Sequence, residues 1–279
     1  MRALRFRLFE MERLGSTSDL LRAMAARGAP EGTVVVAAEQ EEGRGRLGRL
    51  WSSPRGGLWL SLLLRPPGTL PPERLSSLAP ALGLAVLEAV EPWSGGHRLG
   101  LKWPNDLVAE EEGAWRKLAG VLCEAFPGGA NGRSAAAVIA GIGINADFER
   151  ERLPAELQSQ ATTLRRLAGG PVDLGELRRR LLAALERTWE LWQQGGFAVL
   201  REAWLARAVW LGQAVELRGA PLRAEGAEER VVGGTFLGVD DEAALLLRLP
   251  GGRVERLLAG ELSLRLGAQG GGSEADIPQ

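Results

Sequence analysis

Cysteine and histidine are scarce in this sequence: Cys123 and His97 are the sole examples in 279 residues. One thiol excludes an internal disulfide and any metal site built from several thiolates, and it fits a reducing compartment. One imidazole excludes a two-histidine metal site and leaves any Ser-His-Asp triad dependent on His97. That residue stands in Gly95-Gly96-His97-Arg98, a solvated loop before a strand. An excess of charge of one sign is also missing. With 34 basic and 35 acidic residues the net charge is -1, so a polyanion could be held only by a local patch. No run of about eighteen apolar residues occurs, and the opening MRALRFRLFEMERLG is too charged for a signal peptide. These absences predict a soluble, cytoplasmic protein with neither membrane nor nucleic acid as partner. What remains, 45% hydrophobic and 25% charged, is globular composition, enough for one large domain and a small one.

Periodicity places the elements. STSDLLRAMAARG reads as a helix, with Ser16 and Asp19 spaced as a capping box, Leu20, Leu21 and Met24 on one face, and Gly28 at its end. TVVVAA (33–38) and LWLSLLL (58–64) are apolar throughout, as in strands buried on both faces. PPERLSSLAPALGLAVLEAVEPW predicts a helix disturbed at Pro80, and RLGLKW a short strand stopped by Pro104. KLAGVLCEAF (117–126) and AAAVIAGIGIN (135–145) predict two further core strands, and VAEEEGAW a surface hairpin. Residues 147–170 are charged and weakly periodic, which predicts loop with one helical turn. Asp173 then caps a long helix whose Leu177, Leu181, Leu185, Trp189 and Trp192 recur at helical spacing. From Gln213 to Leu266 short apolar runs alternate with turns, as in a small all-β barrel, and GAQGGGSEADIPQ predicts a disordered tail.

GRGRLGRLW (43–51) literally contains G-x-G-x-x-G. A dinucleotide fingerprint requires strand, glycine turn and helix, because the pyrophosphate rests on the helix N-terminus. Here Pro54, Gly56 and Gly57 follow and the next element is a strand, so that reading fails. Glycines admit a close approach of backbone N–H groups and arginines offer forked donors, so the loop suits a phosphate or carboxylate. Glu39, Glu41 and Glu42 beside it disfavour a nucleic-acid backbone. KWPNDL presents an amide and a carboxylate, Asn105 and Asp106, at a rigid corner, and RKLAG puts Lys117 at the mouth of an apolar strand with Gly120 allowing close approach. Alone, each is equally a plain turn or a solvated strand end.

In this order and spacing, GRGRLGRLW, KWPNDL, KLAG and GIGIN resemble the biotin protein ligase family, over residues 16 to about 265. The resemblance implies an α+β fold: a mixed central sheet flanked by helices, of class II synthetase type, with a small SH3-like C-terminal β-barrel. It divides the chain into a catalytic domain (1–208), the SH3-like domain (209–267) and the tail (268–279). It implies a ligase that activates biotin with ATP and Mg²⁺ as biotinyl-5'-AMP and transfers it to a lysine of a biotin carboxyl carrier protein, the acetyl-CoA carboxylase subunit. Ser16, Thr17, Ser18, Gln40, Gly43, Arg44, Gly45, Arg46, Lys117 and Gly120 fall at biotin-binding positions. Arg46, Arg49, Trp51, Asn105, Lys117 and Asn145 fall at ATP positions, and no residue is assigned to a metal. Lys117, Arg46 and Arg44 would offset the repulsion between two anionic reactants, with Asp106 accepting the acceptor lysine's proton. The glycine-arginine loop, and residues 147–160 on the adenine side, would act as lids.

Glu42 departs from the family's small uncharged residue, and the acidic 108–115 segment is longer than the family's. Fifteen residues precede Ser16, too few for the DNA-binding domain of some members, so no repressor role is expected; a homodimer through a sheet edge is implied. The alternatives are a lipoate or octanoate ligase, whose arginine-rich glycine-triplet segment has no counterpart here, and a non-catalytic biotin sensor, which would not need Lys117, Asp106 and the arginine loop together.

Overall fold

The computed structural model describes residues 4–66, 72–128, 134–219, 230–258 and 263–266; the 268–279 tail lies outside them. In chain order the elements are β1 (Arg7–Leu14), α1 (Thr17–Ala26), β2 (Thr33–Gln40), β3 (Leu58–Leu64), α2 (Pro72–Ser76), α3 (Leu78–Val90), β4 (Leu99–Lys102), β5 (Asp106–Glu111), β6 (Ala114–Gly128) and β7 (Ser134–Ile144). There follow α4 (Ala155–Gln158), α5 (Leu164–Ala168), α6 (Leu174–Gly195), α7 (Arg201–Leu205), β8 (Ala214–Gly219), β9 (Arg230–Val239), β10 (Leu245–Arg248), β11 (Val254–Leu257) and β12 (Ser263–Leu266).

Seven strands form a mixed sheet in the order β1-β2-β3-β7-β6-β5-β4. Only β1 and β2 run parallel; every other neighbouring pair is antiparallel. The continuous apolar runs are explained by burial on both faces. Val34, Val36, Leu60, Leu62 and Leu64 face the main core with α3 and α6. Val35, Leu63, Ala137 and Ile139 face Leu21 and Ala25 of α1. The five-stranded antiparallel sheet β11-β10-β9-β8-β12 follows, and its Phe236, Leu245 and Leu247 join the same main core. Trp103, 1% exposed, reaches across to it and donates from Nε1 to the Ala243 carbonyl at 3.0 Å. This α+β arrangement, mixed sheet plus small β unit, is the one expected.

Several local expectations need correction. Residues 7–14 carry no strand-like alternation, yet they form β1, an edge strand held by its ladder to β2 with largely exposed side chains. The Ser16–Asp19 capping box does not form; the side-chain carbonyl of Gln40 instead accepts the Thr17 backbone N–H at 2.8 Å. The helix break comes at Ser77, three residues before Pro80, whose missing N–H leaves the preceding turn without its bond. Ser77 Oγ holds the break, donating to the Arg74 carbonyl at 2.7 Å and accepting from Trp192 Nε1 at 3.0 Å. The Arg74–Trp93 stretch is, among the described residues, long and apolar enough to cross a membrane, but 61% of its apolar window is buried in the fold.

Residues 147–170 hold more order than a loop. A 3-10 turn at Arg150–Arg152 and the short helices α4 and α5 are each too brief to show a period. Thr163 caps α5, accepting from Arg166 N at 3.2 Å, and Gly169 ends it at φ 68°. Asp173 caps α6 as expected, and the five apolar residues named for it are buried.

Glu111, 5% exposed, fastens α5 to the β5–β6 hairpin through Arg166, with Arg116 at 3.5 Å. Burial pushes its carboxyl up, but the Arg166 hydrogen bond and the two arginine charges prevail and hold it below its ordinary value. Because the folded pKa is depressed, the stabilisation is complete above the ordinary carboxylate pKa and is lost as pH falls through the folded value. Glu111→Gln should therefore cost about 1–3 kcal/mol at neutral pH in urea denaturation. The gap to wild type should close below about pH 4; a gap that persists in acid contradicts this account.

Candidate active site

The site begins with a row of residues facing one way across four strands. Trp59 of β3 lies opposite Gly143 of β7, Gly143 opposite Gly120 of β6, and Gly120 opposite Asp106 of β5. Two neighbouring glycines leave bare backbone at the centre of the sheet, and the Trp51 indole lies over it. A Cβ added at Gly143 would meet that ring at 2.8 Å, and one at Gly120 at 3.0 Å. In the adjacent row Ser61 of β3 pairs with Gly141 of β7.

Lys117 and Gly120 are three apart, so regular alternation would put them on opposite faces. A bulge cures this: Leu107 pairs with Ala119 but Val108 with Lys117, leaving Leu118 as the extra residue. Lys117, Gly120 and Asp106 thus share one face. Lys117 Nζ lies 2.6 Å from Asp106 Oδ1 and 4.8 Å from the centre of the Trp51 ring. Asp106 is held from behind by Asn105, whose carbonyl accepts from Val121 N and whose amide donates to the Val121 carbonyl, both at 2.9 Å. The Trp103–Pro104 peptide before it is cis.

The floor opens into a cavity of about 480 Å³. One end is hydroxyl and amide. Thr17 Oγ1 and Ser18 Oγ lie 2.7 and 3.0 Å from Ser61 Oγ, and Gln40 Nε2 donates to Ser53 Oγ at 2.9 Å. The other end is cationic, with Arg46, Arg49, Lys102, Lys117 and Arg265 lining it. Burial lowers the Arg46 and Lys102 pKa values; Asp106 opposes the shift in both, and neighbouring cations add to it. Arg46 Nη1 donates to Asn105 Oδ1 at 3.4 Å. A third side is apolar, where Trp51, Leu153, Leu157 and Ala161 line the cavity and pack on the buried Trp59 and Phe148. Residues 160–162 add to β6 beside Lys117: its N–H donates to the Gln160 carbonyl at 2.7 Å and its carbonyl accepts from Thr162 N at 2.9 Å.

The glycine-arginine segment folds as a flap closing this cavity. An isolated bridge joins Arg44 and Leu50, Trp51 N donates to the Gly43 carbonyl at 2.8 Å, and a 3-10 turn at Arg46–Gly48 forms the tip. No helix follows it, in keeping with the rejected dinucleotide reading. Gly43 does not line the cavity, but a Cβ there would stand 2.4 Å from the Trp51 carbonyl, so the flap's base requires glycine.

The other residues singled out in the sequence, Ser16, Thr17, Ser18, Gln40, Arg44, Gly45, Arg46, Arg49, Trp51, Asn105, Asp106, Lys117, Gly120 and Asn145, all line the cavity. Arg44 is engaged at its edge by Asp19 at 2.8 Å and Glu124 at 3.3 Å. Asn145 donates to the Thr162 carbonyl at 3.1 Å. The sequence reading missed Lys102, Trp115, Trp210 and Arg265. A lysine ending the apolar strand LGLK was the available signal for the first, and Trp115 stands two residues before Lys117, on its face of β6 by alternation; Trp210 and Arg265 come from distant segments without a local mark. His97 lies in the loop before β4, exposed and away from the cavity.

The profile of the biotin/lipoate A/B protein ligase family matches residues 10–145. The bifunctional ligase/repressor BirA of Bacillus subtilis is 33% identical over 256 residues, covering 90% of this chain and 72% of that protein. The biotin--[acetyl-CoA-carboxylase] ligase of Paracoccus denitrificans is 35% identical over 226 residues, 78% and 85% of the two chains. The biotin protein ligase of Aquifex aeolicus, solved with biotin and ATP, superposes with a TM-score of 0.75 at 30% identity over 94% of this chain and 99% of that one. With the glycine-floored cavity and its flap already described, this chain belongs to the biotin/lipoate A/B protein ligase family, among its biotin protein ligases.

Proposed function

We propose that this protein joins biotin to ATP as biotinyl-5'-AMP and passes the biotinyl group to a lysine of a biotin carboxyl carrier protein of acetyl-CoA carboxylase. The observation that carries this reading is the polarity of one cavity: hydroxyls and an amide at one end, bare glycine backbone in the middle, cations at the other. A ureido ring needs both donors and acceptors, which Ser16, Thr17, Ser18 and Gln40 supply. A lipoyl dithiolane would leave those polar groups desolvated and unpaired, which disfavours the lipoate alternative.

The carboxylate of biotin, extended beside the Trp51 ring that rests on the glycine floor, meets Lys117 and Arg46. There it attacks the α-phosphorus of ATP; the bond to the bridging oxygen breaks and pyrophosphate leaves with the electron pair. No histidine is needed, because the nucleophile is already ionised at neutral pH. The cations offset the repulsion between the two anions and stabilise charge on the phosphorus. The acceptor amine then attacks the acyl carbon and AMP departs, with Asp106 placed to receive the proton. The apolar side lined by Leu153, Leu157 and Ala161 takes the adenine. Mg²⁺ would enter with the triphosphate, held through its phosphate oxygens.

Incubation with ATP, Mg²⁺, labelled biotin and a biotin carboxyl carrier domain should label one lysine of that domain; no transfer from active-site-intact protein would sink the proposal. Gly143→Ala should push the Trp51 ring off the floor and raise the KM for biotin about 100-fold, with circular dichroism unchanged; an unaltered KM would show that the seating of Trp51 on the floor does not shape the biotin site. Arg46→Gly should let biotinyl-5'-AMP dissociate about 10-fold faster or more, the loss of one charged contact. Dissociation at the wild-type rate counts against the flap as a lid.

A further inference from the structure

Lys102 is a cation of the cavity with no place in the mechanism so far. Lys102 ends β4 directly opposite Asp106 in the β4–β5 ladder, and its side chain is 23% exposed. Asp106 presents its two oxygens unequally: Oδ1 is 2.6 Å from Lys117, whereas Oδ2 is 4.0 Å from Lys102. Among the described residues that distant carboxylate is Lys102's one ion-pair partner. Its ammonium otherwise stands 5.5 Å from the Trp210 ring centre. Around it Lys117, Arg265 and Arg49 act as like charges. Desolvating an ammonium among other cations is unfavourable unless an anion completes the site. Asp106 is the one acidic side chain lining the cavity among the described residues, and Lys117 already engages it.

Lys102 is also built in place. The segment leading into the C-terminal sheet is laid along β4, with Leu101 N donating to the Arg207 carbonyl at 2.7 Å and Val209 N to the Leu101 carbonyl at 3.0 Å. Trp210 follows at φ 63°, a left-handed conformation costly for a bulky residue. That turn sets its indole beside Lys102. The residue therefore lies on the side of Asp106 away from the Trp51 floor, between the large sheet and the small one.

We propose that Lys102 binds the β- and γ-phosphates of ATP and holds the departing pyrophosphate. This rests on the reading of the cavity as a biotin and ATP site. The attacking carboxylate, over the glycine floor beside Lys117, and the leaving group must lie on opposite sides of the α-phosphorus for in-line displacement. When the bond from that phosphorus to the bridging oxygen breaks, its electron pair goes to the oxygen. Lys102 donates hydrogen bonds to the non-bridging oxygens of the pyrophosphate so formed and transfers no proton. The second half-reaction, in which no pyrophosphate takes part, does not use it.

The test separates the two half-reactions in the full-length protein. Lys102→Met should slow single-turnover formation of biotinyl-5'-AMP about 100-fold, as loss of one charged donor does. Lys102→Arg should recover most of the rate. Inhibition by added inorganic pyrophosphate should weaken in Lys102→Met by about 10-fold. Transfer from synthetic biotinyl-5'-AMP to the carrier domain should be slowed far less than adenylate formation. Normal adenylate formation in Lys102→Met overturns the assignment, and so does an equal loss in both half-reactions with pyrophosphate inhibition unchanged. Wild-type protein that makes no adenylate overturns the functional reading and this assignment together.

Discussion

Asp106 is one carboxylate held between two lysine ammoniums, at 2.6 Å from Lys117 and 4.0 Å from Lys102. Everything at the cationic end of the cavity is arranged around it. A half-buried cluster of like charges would spread apart on flexible loops, since repulsion grows as water is excluded. Here the two lysines and the carboxylate between them are carried by strands that cannot yield. Lys102 ends β4, Asp106 opens β5, and Lys117 sits at a bulge in β6, all within one antiparallel ladder. The fold keeps the cations together, and an anionic ligand supplies the negative charge they lack.

The second constraint is the absence of side chains. Gly120 and Gly143 lie opposite each other in the middle of a sheet, where glycine weakens a strand and is used when something must approach the backbone closely. The Trp51 ring approaches it here, brought by the flap. The same flap carries Arg46 to Asn105, so the base that anchors Asp106 to β6 also receives the lid. Charge, floor and lid therefore meet at one corner in the chain, Trp103 to Asp106.

Much of this was legible in the residues. β2, β3, β6 and β7 are runs of apolar residues long enough to be strands and nothing else in their context, and α6 has both its cap and its period. The flap, the corner and the lysine were marked by glycine, proline and charge placed next to such runs. What escaped detection was set by partners rather than by local pattern. β1 is a strand because β2 offers it an edge. The Leu118 bulge follows from pairing with β5, and Gln40 caps α1 from another strand. Trp210 and Arg265 reach the cavity from more than ninety residues beyond Lys117, a proximity only the packed core creates.

The central claim is that the cationic end and the glycine floor form one site, closed by the flap. A crystal structure with biotinyl-5'-AMP tests it most directly. The account predicts the ureido ring against Ser16, Thr17, Ser18 and Gln40, the acyl phosphate within hydrogen-bonding distance of Lys117, and the flap folded over both. A ligand bound elsewhere, with the flap turned to solvent and Lys117 still facing only Asp106, would contradict it.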